Sequence, residues 1–70
     1  MAKAKPETQI KRYESTAAHY ERKGKREWAY YKNAQNSDDE RSHYLNSQTA
    51  FNKAKINKEK AEKMRKDNEL

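Results

Sequence analysis

The stretch Tyr20-Glu21-Arg22-Lys23-Gly24-Lys25-Arg26-Glu27-Trp28 holds the chain's one glycine, and how Gly24 is read decides how many helices there are. Glycine favours the position just past a helix end, where a left-handed backbone carries no Cβ penalty. Upstream, Ile10, Tyr13, Ala17 and Tyr20 recur at steps of three, four and three, which puts them on one helical face. Pro6, the one proline, suits a first helical turn, where its missing N–H costs nothing. The spacing predicts a first helix over about 7–23, ended by Gly24.

Beyond Gly24 helical spacing resumes. Trp28, Tyr31 and Ala34 share a face with Tyr30 at its flank, which predicts a short second helix over about 25–35. Ser37-Asp38-Asp39-Glu40 matches a capping box, with Ser37 accepting from the N3 amide and Glu40 reaching back. Acidic residues there also suit the positive end of a helix. A third helix is expected from about 38. It carries two thin stripes, Tyr44, Gln48, Phe51, Lys55 and Leu45, Thr49, Asn52, Ile56. Each is too sparse to be a whole core face, which suggests contact with two different surfaces.

The expected fold class is therefore all-α: a three-helix chain, with a short helical hairpin and a long basic C-terminal helix. Residues 1–6 are expected to be a disordered N-terminus and 7–56 the helical hairpin plus third helix. Residues 57–70 are expected to be a basic helical or fraying tail, since beyond Ile56 only Ala61, Met64 and Leu70 are apolar.

Composition limits what such a chain does. In 70 residues there are 17 Lys or Arg and 11 Asp or Glu, a net charge of +6; 31% of residues are apolar and 40% charged. Globular domains are usually about 45–50% apolar, so one small domain with a thin core is the upper bound. An enzyme with an enclosed pocket does not fit. Disulfide staples are excluded because cysteine is absent. Order is expected from helix propensity, a partner chain, or both. The basic start Met1–Pro6 is not followed by an apolar segment, so no secretory signal is expected, and no stretch suits a membrane span. A cytoplasmic location is expected, with no membrane partner.

No catalytic constellation stands out. His19 and His43 lack a companion ligand at helical spacing, so no metal, cofactor or catalytic residue is expected. Asp38, Asp39 and Glu40 are accounted for by capping. No phosphate-binding glycine loop, nucleophile elbow or zinc-protease motif occurs.

Two sets of residues invite a binding role. One is cationic: Arg22, Lys23, Lys25 and Arg26 around Gly24, then Lys55, Lys58, Lys63 and Lys66 along the C-terminal helix. Either cluster suits phosphates or an acidic protein, and equally a solvated surface. The other set is aromatic and apolar: Trp28, Tyr31, Tyr44, Leu45 and Phe51. Tyr and Trp concentrate at interfaces, though they also pack within a hairpin.

The order of features in Ala17-Ala18-His19-Tyr20-Glu21-Arg22-Lys23-Gly24, continuing through Trp28-Ala29-Tyr30-Tyr31-Lys32-Asn33-Ala34, resembles small bacterial and phage transcriptional regulators of the ANR and PerC-like groups. Those chains carry an A-x-x-[LY]-E-x-x-G turn, a short Ala/Trp-rich helix, an acidic cap and a third helix. The likeness spans about residues 17–54. It implies a small modulator of transcription, ANR-type members binding AraC-type activators and blocking their dimerisation. The expected function is accordingly regulation by protein–protein binding, with Trp28, Tyr31, Tyr44, Leu45 and Phe51 in contact with a transcription factor or another host or phage protein, and possible homodimerisation. The alternatives are direct nucleic-acid binding through the basic clusters and inhibition of a host defence complex.

Overall fold

The computed structural model describes residues 5–68; Met1–Ala4 of the expected disordered segment and the last two residues of the expected tail lie outside them. Two helices, not three, make up the described residues: α1, Pro6–Lys32, and α2, Ser37–Asp67. They pack side by side, antiparallel, in a rod of 50 × 23 × 14 Å. Pro6, expected within the disordered segment 1–6, is instead the first residue of α1, in the first turn that a proline suits, after an extended Lys5.

The expectation that Gly24 ends a helix is overturned. Gly24 is inside α1 and buried, and the segments 7–23 and 25–35 are one helix. Its role is steric. A Cβ built on Gly24 would stand 2.8 Å from Cδ1 and Cε1 of Phe51 and 3.0 Å from Cζ. The residue is therefore glycine because the Phe51 ring occupies the place of a side chain. A mid-helix glycine costs about 1 kcal/mol relative to alanine, and close packing against α2 offsets it.

The same principle governs the whole seam. Ile10, Ala17 and Gly24 are the buried positions of α1, seven residues apart; Ser47, Ala50, Ala54 and Ala61 are those of α2. Apart from Ile10, the buried residues are small, which lets two backbones come close over a thin apolar layer. The two stripes expected on the third helix are not its buried face. Tyr44 and Phe51 lie at the edge of the contact, whereas Leu45 and Ile56 stand about half exposed on the opposite side. Ser47 is fully buried, and its hydroxyl donates to the Tyr44 carbonyl at 2.8 Å, leaving no unpaired hydroxyl in the seam.

The tail expected to be helical or fraying is helical over its described residues, and it packs. Residues 57–67 continue α2 without a break, Ala61 is buried and Met64 half-buried, and Arg65 reaches Glu14 of α1. Packing against the first turns of α1 gives this segment the apolar contact its own composition lacks.

The connection between the helices is short. Asn33 closes α1, its backbone N–H donating to Ala29 and Tyr30 carbonyls and its side-chain amide to the Ala29 carbonyl at 2.9 Å. The cap of α2 is Asn36, one residue before the expected Ser37: its Oδ1 accepts from Asp39 N at 2.8 Å and its Nδ2 donates to Asp39 Oδ2 at 3.0 Å. The amide-accepting half of the capping box is kept, moved back by one residue, while the Asp39 carboxylate, in the place expected of Glu40, meets the Asn36 side-chain amide and not its backbone N–H.

Candidate functional site

The edges of the hairpin show how its charges are spent. On one edge, Glu14 meets Arg65 and Glu21 meets Lys58, each step being seven residues up α1 and seven down α2. On the other edge, Lys60 lies over the Tyr13 ring at 5.8 Å and Lys53 over Tyr20 at 5.3 Å, with the same step. Nearer the turn, Glu27 Oε2 and His43 Nδ1 are 2.5 Å apart, and the Tyr30 ring rests on the imidazole at 5.2 Å. Hydrogen bonding from Lys58 holds the Glu21 carboxyl below the usual range, with the charges of Lys58 and Lys25 adding to it against slight desolvation.

These contacts sort the cations. Of the residues expected to make α2 a basic rod, Lys58 is engaged with Glu21, and Lys53, Lys60 and Arg65 are likewise turned onto α1. Lys55, Lys63 and Lys66 are exposed, but each stands four residues from Glu59 or Glu62. The outer side of α2 is therefore mixed in sign.

The outer side of α1 is not. Arg12, His19 and Arg26 each follow a buried position by two residues, and Ser15 and Arg22 each precede one by two. Two residues are about 200° of helical rotation, so all five point away from α2. All five are exposed. No Asp or Glu lies three or four residues from Arg12, His19, Arg22 or Arg26. Glu14, Glu21 and Glu27 face the seam edges, in contact with α2. Lys11 and Lys25 stand at one border of this face and Lys23 at the other. The row from Arg12 to Arg26 runs about 21 Å at 1.5 Å per residue.

Four of the expected cationic residues, Arg22, Lys23, Lys25 and Arg26, thus belong to one surface, which the other four do not share. The same surface takes in Lys11, Arg12, Ser15 and His19, which the sequence reading missed. The signal was present as the absence of any carboxylate at helix-neighbour spacing from Arg12, His19, Arg22 and Arg26, whereas the border lysines Lys11, Lys23 and Lys25 each have one there, and it was hidden by placing a helix end at Gly24.

The expected protein-contact residues divide. Trp28, Tyr31 and Tyr44 gather near the turn, with ring centroids 4.9 Å apart for Trp28–Tyr31, 5.4 Å for Tyr31–Tyr44 and 6.3 Å for Trp28–Tyr44. Lys32 lies over Trp28 at 5.9 Å. An open groove of about 340 Å³ beside them is lined by Tyr31, Ser37, Glu40, Arg41 and Tyr44. Phe51 is two turns away, committed to Gly24, and Leu45 is on the outer side of α2.

Among the described residues there is no group of three His, Cys, Asp or Glu side chains able to hold a metal, and no helix long and apolar enough to cross a membrane. Comparison with known protein families, curated proteins and solved structures finds no match for this chain. The likeness to ANR and PerC-like regulators thus rests on residues 17–54 alone, and the turn it places at Gly24 is continuous helix here.

Proposed function

We propose that this chain is a small nucleic-acid-binding protein whose contact surface is the outer face of α1. The observation that carries the proposal is the segregation of charge: the carboxylates Glu14, Glu21 and Glu27 face α2, leaving Arg12, Arg22 and Arg26 in one exposed row without an acidic neighbour. A row of like charges repels itself and costs stability unless something anionic comes to meet it. Nucleic acid supplies closely spaced phosphates along a line, which suits a straight cationic row better than a compact acidic patch does.

The test is the salt dependence of binding to random duplex DNA. With the six cations Lys11, Arg12, Arg22, Lys23, Lys25 and Arg26 each on a phosphate, the log–log slope is roughly −5. Arg12→Gln, Arg22→Gln and Arg26→Gln together should shrink that slope by about 3, while Lys55→Gln with Lys63→Gln and Lys66→Gln leaves it nearly unchanged. Unaltered binding by the α1 triple variant would refute the assignment.

A second reading, regulation by protein contact, is favoured by one observation. Tyr44 and Leu45 are exposed near the turn, and Tyr44 borders the groove with Tyr31 and Arg41. Capture of a purified AraC-type activator on immobilised chain, abolished by Tyr44→Ala with Leu45→Ala, would support it; equal capture by wild type and variant would dismiss this surface.

A further inference from the structure

Building on the proposal that the outer face of α1 takes nucleic acid, we infer that its ligand is B-form duplex DNA and that α1 lies in the major groove. Three features of the face choose among nucleic acids. The first is its cross-section. Between Arg12 and Arg22 the outward residues are Ser15 and His19, with Thr16 and Ala18 at the borders, so the helix is slim where a groove floor would meet it. A helix with side chains is about 10–12 Å across and the B-form major groove about 12 Å wide. The major groove of A-form RNA is deep, narrow and closed to such an element.

The second feature is the spread of charge. Lys11 and Lys25 border the face on one side and Lys23 on the other, with Arg12, Arg22 and Arg26 in the row between them. Cations spread over both sides of the face reach phosphates on both walls of a groove. A helix lying across a single strand would use one border only.

The third is the state of the rings. Unpaired bases are held by stacking on aromatic side chains. Tyr13 and Tyr20 of α1 are capped by the ammonium groups of Lys60 and Lys53, on the side turned to α2. The face itself offers no flat stacking platform between Arg12 and Arg26 beyond the imidazole of His19, which is set edge-on to Tyr20. Behind α1, the outer side of α2 carries Glu59 and Glu62 among its lysines and is mixed in sign.

The experiment is a fluorescence-anisotropy titration of the full chain against a labelled DNA duplex, the RNA duplex of the same sequence and the single DNA strand, at one salt concentration. The DNA duplex should bind at least about 10-fold more tightly than the other two. Glucosylated hydroxymethylcytosine, which fills the major groove, should weaken binding by a similar factor, and saturating netropsin in the minor groove should not. Ser15→Trp, which thickens the face without changing its charge, should weaken DNA binding while the helical circular dichroism and melting temperature stay as in wild type. Equal affinity for RNA and DNA duplexes, or sensitivity to netropsin alone, overturns the groove assignment and leaves nucleic-acid binding standing. No binding to any of the three at low salt overturns both.

Discussion

Gly24 and Phe51 are complementary in shape: the ring of one fills the space where the other lacks a side chain. This contact sets how near the two helices come at mid-length. It predicts that Gly24→Ala changes sign with its background. In wild type the new methyl meets Phe51, and an overpacked contact costs roughly 1–3 kcal/mol, more than the ~1 kcal/mol of added helix propensity. With Phe51→Ala already present the overlap is gone, and Gly24→Ala should stabilise by about 1 kcal/mol. Thermal melts of the four proteins decide it. A rise in melting temperature for Gly24→Ala alone would show that the ring moves aside freely.

The start of α2 offers a prediction that separates two adjacent residues. Asn36, not Ser37, accepts from the Asp39 amide. Asn36→Ala should therefore cost about 1 kcal/mol, the usual loss for a removed cap. Ser37→Ala should be within about 0.5 kcal/mol of wild type, as for a surface substitution that breaks no special feature. The opposite ranking in chemical denaturation would restore Ser37 as the cap.

Much of the fold was legible in the sequence and the rest failed for identifiable reasons. Pro6 as a first-turn residue, the shared face of Ile10 and Ala17 and a break before Asp38, expected at about 36–37 and found at 33–36, all follow from local rules. Gly24 misled because glycine's local meaning, a helix end, and its tertiary meaning, a close approach, look identical in one chain. The seam misled because its residues are small: Ser47, Ala54 and Ala61 repeat every seven positions, but a search for large apolar side chains passes over them in favour of Tyr44 and Leu45. The basic rod misled because the partners of Lys58 and Arg65, Glu21 and Glu14, lie 37 and 51 residues away. The cationic face of α1 needed only the correct helix to become visible.

Glu21 gives the stability of the hairpin a pH dependence of known sign. Its carboxyl is held below the ordinary range chiefly by the hydrogen bond from Lys58. A depressed folded-state value means that the contribution is complete above the unfolded pKa of about 4.3 and is lost as pH falls through the lower folded value. Melts recorded from pH 6 downward should show a decline in that acid window that Glu21→Gln or Lys58→Met reduces. The pair is largely exposed, so the effect should be small and should fade in high salt. An undiminished acid decline in both variants would assign it to other carboxylates.

The last prediction concerns the C-terminal third of α2, where composition argues for fraying and packing argues for order. Among the described residues Ile10 is the one large aliphatic side chain that is almost wholly buried, at 2% exposure. It stands on α1 just before Tyr13, which Lys60 covers, and one turn before Glu14, which Arg65 holds. The shelter of Ile10 thus comes from the level of α2 that includes Ala61 and Met64. A domain of this length has a total stability of only about 3.5–10 kcal/mol at roughly 0.05–0.15 kcal/mol per residue. Ile10→Ala, at about 2–5 kcal/mol for a buried aliphatic side chain cut to alanine, removes a large share of that. Ending the chain after Lys58 should lower the melting temperature comparably, because it uncovers Ile10 and Tyr13 together. In the shortened chain Ile10→Ala should then have little further effect, since the side chain has already lost its cover. If shortening leaves the melting temperature unchanged and Ile10→Ala keeps its full cost, residues 59–70 contribute nothing to the core and the sheltering contact lies elsewhere on α2.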